Sequence, residues 1–102
     1  MAKYVYIWEY KAKNNSIKEF EEFYNSQGTW VELFKLANGY IKTDFFKDKI
    51  EHNRFITVDY WESYEAYDQF RIDFDEKFQE LDQKCAHYTL GEKKMGEFTL
   101  IE

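Results

Sequence analysis

Two carboxylates stand where strand interiors are expected: Glu9 in the run YVYIWEYKA and Asp59 in the run RFITVDYW. A carboxylate withdrawn from water has a raised pKa and becomes a competent general base near neutral pH. The structural alternative is pairing with Lys11 or Arg54, or with a partner subunit, as charged residues near strand ends commonly do. Tyr6 and Tyr10 fall on one face of the first of these runs, about 13 to 14 Å apart, with Trp8 midway. A buried phenol needs a hydrogen-bond partner, and its high pKa makes it a better donor than base. Trp8, Trp30, Phe34, Trp61, Phe70 and Phe74 add flat apolar surface in a chain that is 22% aromatic. Such a set either lines a cavity suited to a flat apolar ligand or fills a core.

Other chemistries lack their residues. His52 falls in a polar turn, and His87 ends a helix, where a cation complements the helix dipole. Cys85 and His87 are two residues apart, about 200° around a helix, and no CxxC or HxxxH spacing supports a metal site. The sequence contains no phosphate-binding glycine loop and no nucleophile elbow. The net charge of -6 argues against nucleic acid, which calls for a basic stripe. Residues 62 to 84 hold eight acids and three bases, which reads as a solvated helix face. No apolar run reaches 18 residues, so no membrane partner is expected. The N-terminal run lacks the pattern of a signal peptide, and the single cysteine excludes an intrachain disulfide and favours a reducing cytoplasm.

The elements that must position these residues follow from periodicity. Residues 4 to 12 read as a strand, apolar on both faces. Ser16 with Glu19 forms a capping-box pattern ahead of Ile17, Phe20, Phe23 and Tyr24 at helical spacing. Thr29 is expected to cap a second short helix that turns Trp30, Val31, Phe34 and Ala37 inward and stops at Asn38-Gly39. Residues 40 to 47 alternate as a strand with Ile41, Thr43 and Phe45 on one side, and residues 54 to 61 form a third strand. Ser63 caps a helix predicted to run over 64 to 87, with Tyr67, Phe70, Phe74, Phe78, Leu81 and Cys85 as its inward stripe. A last strand is expected around 97 to 101, with Gly91 and Gly96 allowing bulges.

With no proline, linker or repeat to mark a boundary, residues 1 to 102 read as one α+β domain. The order predicts a ferredoxin-like split βαβ fold, a four-stranded antiparallel sheet with its first and third strands central and helices on one face. The other face, apolar in both central strands, then calls for a second copy of the chain.

The stretches Gly28-x-Trp30-x-x-Leu33-Phe34, Gly39-Tyr40, and Thr57-x-Asp59-x-Trp61-Glu62-Ser63 followed by Ala66-Tyr67 resemble the antibiotic biosynthesis monooxygenase-like domain. The resemblance spans nearly the whole chain and implies a dimeric α+β barrel in which two sheets pack face to face. The family includes cofactor-independent oxygenases acting on polycyclic aromatic compounds, haem-degrading enzymes and members without a known activity. The haem-degrading branch uses an Asn on the first strand and a Trp and an axial His on the long helix. The matching positions here are Tyr10, Phe70 and Glu80, so haem is not expected as a cofactor. The resemblance therefore implies a homodimeric monooxygenase-like protein without metal or flavin, acting on a small flat aromatic compound. Tyr6 or Tyr10 would donate hydrogen bonds, Trp30 or Trp61 would pack the substrate, and Glu9 or Asp59 would serve as base. The alternative is a non-catalytic domain that binds a small apolar molecule or only dimerises.

Overall fold

The structure, a computed structural model, describes residues 3–101. Its sheet is built from β1 (Tyr4–Ala12), β2 (Tyr40–Lys47), β3 (Arg54–Trp61) and β4 (Thr89–Thr99), all antiparallel neighbours in the order β2-β3-β1-β4. Aromatic and β-branched residues crowd β1 and β3 because central strands are shielded on both faces. Helices α1 (Ile17–Tyr24), α2 (Thr29–Phe34), α3 (Tyr64–Asp73) and α4 (Asp75–Cys85) cover one face, and a 3-10 turn at Ala86–Tyr88 leads into β4. This is the expected α+β, ferredoxin-like arrangement with β1 and β3 central. Among the described residues no helix is long and apolar enough to cross a membrane.

The core lies between sheet and helices. Tyr4, Tyr6, Tyr10 and Ala12 of β1 and Phe55 and Trp61 of β3 are buried against Phe20, Trp30, Phe34 and Phe70. Phe20, Phe55, Trp61 and Phe70 are essentially sealed from solvent. Each such ring stabilises the fold by about 1.5 to 3 kcal/mol relative to leaving it exposed. The rings meet edge to face or tilted in many of these contacts, as between Phe34 and Trp61 at 5.7 Å, which suits their quadrupoles. On the opposite sheet face, the cross-strand pairs Ile7–Val58 and Phe46–Ile56 form an open apolar surface, with Phe98 beside Val5 at one edge. Phe46 and Phe98 are each about half exposed there.

Several boundaries differ from the periodicity. The predicted helix over 64 to 87 is two helices, broken at Phe74 with φ −119° and ψ 23°. Phe74 still donates to the Phe70 carbonyl at 2.9 Å, and Phe78 to that of Phe74 at 2.8 Å. The i, i+4 spacing thus passes through the break, so the inward stripe gives no sign of it. The last strand begins at Thr89, not near 97, because the polar run Glu92, Lys93 and Lys94 suits an edge strand. It shifts register beside Gly96 and again beside Gly91, as the glycines suggested.

Ser16 occupies the start of α1 but its hydroxyl meets Asn15 at 3.3 Å, so the capping box does not form. Gly28 precedes α2 in place of Thr29, and α2 ends at Phe34. A bulge between Tyr40 and Lys42 puts Tyr40, not Ile41, on the helix-facing side with Thr43 and Phe45. Ser63 does cap α3, accepting from the Ala66 amide at 3.1 Å. Gly39 enters β2 with φ +93°, and a Cβ there would lie 2.6 Å from that of Ala66. The glycine is therefore required both by its backbone conformation and by the close approach of α3.

Candidate functional site

A cavity of about 230 Å³ lies between the sheet and the helices. Its sheet-side wall is made by Tyr6, Trp8 and Tyr10 of β1, Thr57 and Asp59 of β3, and Thr43 of β2. All six face the helices because alternate residues of paired strands point the same way. The helix-side wall includes Trp30 and Phe34 of α2, Tyr67 and Arg71 of α3, and Phe78 of α4.

Asp59 is the chemical centre of this wall. It is 5% exposed, and burial pushes its carboxyl up from 3.8 to about 7. The Thr43 hydroxyl donates to it, which opposes the rise but does not cancel it. The Tyr40 hydroxyl lies 2.8 Å from that of Thr43, extending the chain of hydrogen bonds toward the edge of the sheet. Tyr6 is the cross-strand neighbour of Asp59. Burial first and the nearby Asp59 charge second hold its phenol well above the ordinary range. The Trp61 indole donates to the Tyr6 oxygen at 3.3 Å, which orients the phenol.

Tyr10 is likewise raised, first by burial and then by Asp59 and Glu92. It packs on Tyr24 at 4.7 Å between ring centres. Its hydroxyl interacts with Thr57, but the Thr57 Oγ lacks a hydrogen bond of good geometry, as does the buried Trp30 Nε1. A polar ligand atom or a water molecule is the natural partner for such groups. The cavity thus combines an aromatic box, a carboxyl able to exchange a proton near neutrality, and two phenols that remain donors at any physiological pH.

Of the residues singled out from sequence, Tyr6, Tyr10, Asp59, Trp8, Trp30 and Phe34 come together here. Trp61 and Phe70 do not line the cavity; they pack behind it, 5.1 Å apart. Phe74 lies at the break between α3 and α4, 5.7 Å from Phe70. Glu9 is on the opposite sheet face, where it pairs with Arg54 at 2.5 Å. Arg54 also binds Asp48 at 2.7 Å, and Asp48 is pulled down to about 2, first by the Ile50 amide and then by Arg54. Glu80 is exposed on α4, away from the cavity.

Sequence reasoning did not single out Thr43, Arg71, Asp82 and Glu92 as wall residues. Thr43 carried a signal, as a polar residue on an apolar strand face. Arg71, Asp82 and Glu92 carried none, because charged residues on helices and edge strands read as solvent-facing.

The fold is that of the antibiotic biosynthesis monooxygenase-like proteins. SnoaB of Streptomyces nogalater, described as a cofactor-independent oxygenase, superposes with a TM-score of 0.82 at 12% identity, over 100% of this chain and 96% of that one. A protein of Bordetella bronchiseptica described as a candidate antibiotic biosynthesis monooxygenase gives 0.73 at 15% identity over the full length of both chains. Its counterpart from Nitrosomonas europaea gives 0.74 at 13% identity, over 97% of this chain and 90% of that one. At the level of sequence, no family model matches this chain and no curated protein matches it.

Proposed function

We propose that this protein is an oxygenase that acts, as a homodimer and without metal or flavin, on a small flat aromatic compound held in the sheet–helix cavity. The observation that carries this reading is Asp59, a buried carboxylate on the cavity wall with a pKa of about 7, set directly opposite Tyr6 in the sheet. The description of SnoaB as a cofactor-independent oxygenase supports it by analogy of fold.

The chemistry asks little of the protein beyond these groups. A ring CH₂ conjugated to a carbonyl loses a proton to Asp59 and becomes an electron-rich anion. The anion passes one electron to O₂, and the resulting radical pair combines to a carbon–oxygen bond. The peroxide anion takes back the proton from Asp59, then loses water to leave a second carbonyl. One oxygen atom enters the product and the other leaves as water, so no external reductant is needed. The aromatic walls exclude bulk water, and Tyr6 and Tyr10 donate to the carbonyl and peroxide oxygens.

The open sheet face supports the dimer. Its rows of Ile7, Val58, Ile56 and Phe46 suit a second sheet packed about 10 Å away.

The test is aerobic incubation with a panel of naphthols and naphthalenediols, reading oxygen uptake and label from ¹⁸O₂. One labelled atom per product is expected, with a rate that rises with pH through about 7 as Asp59 ionises. Asp59→Asn should lower kcat/KM by about 10²-fold or more, the usual size of a general-base effect. Binding of the panel without any oxygen uptake would overturn the enzymatic reading.

A further inference from the structure

We propose that Arg71 is the anion-holding residue of the cavity: it receives the oxygen on which negative charge gathers when a neutral, ionisable aromatic ligand gives up its proton inside. The inference rests on the reading of this cavity as the substrate site, and it deepens that reading by naming the kind of ligand.

Arg71 stands on α3, on the helix-side wall, while Asp59 stands on the sheet-side wall of the same cavity. It is the only cation among the described residues that line the cavity. Its guanidinium lies 3.7 Å over the ring centre of Phe78, and Phe78 in turn packs edge-on against Trp30 at 5.0 Å. Stacking fixes the plane of the guanidinium, which leaves its donors aimed along that plane. Its Nε is buried without a hydrogen-bond partner. Its nearest carboxylate is Asp75, at 3.7 Å from Nη2, too long for a hydrogen bond. A charged group with an unsatisfied buried donor is costly to hold in a fold, and a ligand oxygen would satisfy it.

The remaining charges decide the ligand's state on arrival. Asp82 of α4 and Glu92 of β4 also line the cavity, beside Asp59. Burial, and then the Asp82 charge, raise the Glu92 carboxyl, so these two acids feel one another. A ligand that comes as an anion meets that repulsion before it reaches Arg71, and a neutral phenol or its keto tautomer does not. Size narrows the class further. A dry cavity of about 150 Å³ holds one benzene ring, so about 230 Å³ suits one ring or two fused rings. Three fused rings would need the walls to open.

The geometry therefore divides labour across the cavity. With the keto tautomer, Asp59 takes the carbon-bound proton at one wall and Arg71 faces the carbonyl oxygen that becomes negative at the other; with a phenol, Arg71 faces the oxygen that itself loses the proton. The titratable groups sharing the space with Arg71 are Asp59, Asp82, Glu92 and the phenols of Tyr6, Tyr10, Tyr24 and Tyr67, with Asp75 beside it on the helical side.

The experiment uses 4-nitrophenol, whose ionisation is visible by absorbance, with 4-nitrobenzoate as the permanent anion. Bound 4-nitrophenol should ionise at lower pH than the free compound, which means its phenolate binds more tightly than the phenol, and 4-nitrobenzoate, which arrives charged, should associate at least tenfold more slowly than neutral 4-nitrophenol. Arg71→Gln should raise the bound phenol's ionisation midpoint by one pH unit or more, and Arg71→Lys should retain most of the wild-type shift. A merely structural arginine would change affinity without moving that midpoint. The wild-type measurement stands alone if Arg71→Gln fails to fold. No saturable binding of 4-nitrophenol, a bound midpoint at or above the free value, or an Arg71→Gln midpoint equal to wild type would each overturn the proposal. Because nothing is turned over, these results are independent of whether the protein reacts with oxygen.

Discussion

Thr43 and Asp59 face each other directly across β2 and β3, and the threonine hydroxyl donates to the buried carboxylate. The bond supports the charged form of Asp59, while burial penalises it more strongly. The carboxyl is thereby held within reach of proton exchange near neutrality instead of being either permanently ionised or permanently neutral.

This arrangement has a thermodynamic signature. A carboxyl raised from 3.8 to about 7 binds its proton more tightly in the folded state than in the unfolded chain. The stabilisation is complete below pH about 4, declines as pH rises, and is gone above pH about 7. Asp59→Asn removes this dependence, so the variant should lose less stability than the wild type between pH 5 and pH 8. At pH 8 it should be the more stable protein, by at most about 4 kcal/mol. Urea denaturation of both proteins at the two pH values measures it. Parallel pH dependences would show that Asp59 is not buried in the way described.

Dimerisation should bury the open sheet face. Light scattering at micromolar concentration should give twice the chain mass of 12.6 kDa. Val58→Lys places a charge at the middle of that face, beside Ile7, and should produce a monomer or insoluble protein. A soluble wild-type monomer would remove the barrel.

Tyr10→Phe separates ligand binding from folding. The hydroxyl makes no strong bond within the protein, since the nearby Thr57 hydroxyl lacks a well-formed partner. Its loss should leave the melting temperature nearly unchanged. If the hydroxyl meets a ligand, affinity should fall by about 0.5 to 1.5 kcal/mol, the usual worth of a neutral hydrogen bond. Quenching of Trp8 and Trp30, which line the same cavity, reports the binding.

Haemin should not bind tightly. Tyr10 is buried against Tyr24, Phe70 is sealed in the core, and Glu80 points to solvent, so these three positions offer iron no imidazole. Titration should show no stoichiometric Soret shift. A saturable shift with product formation on adding reductant would contradict this.

The strand boundaries of β1, β2 and β3 were legible because aromatic and β-branched residues are dense there and stop at polar turns. The Ser63 cap was legible too, since a hydroxyl before an apolar periodic run satisfies a free amide. The break at Phe74 was not, because both of its flanking hydrogen bonds keep the helical spacing. The long β4 was hidden by its charged residues, which an edge strand tolerates and a periodicity reading discards.

For the site, alternation alone already put Tyr6, Trp8 and Tyr10 on one face of β1 and Glu9 on the other. Local sequence contains no statement of which face the helices will cover. Only docking decides that, and it sends Glu9 to Arg54 on the open face and Asp59 into the cavity. Strand pairing then sets Tyr6 opposite Asp59, two residues 53 positions apart whose meeting depends on register, not on any local motif. Arg71 is the limiting case. Its neighbours in sequence mark it as a surface charge, and only the packing of α3 against Phe78 of the following helix turns it over the cavity. Periodicity is a property of one element and survives in the sequence, whereas a cavity belongs to the space between elements and exists only once they have packed.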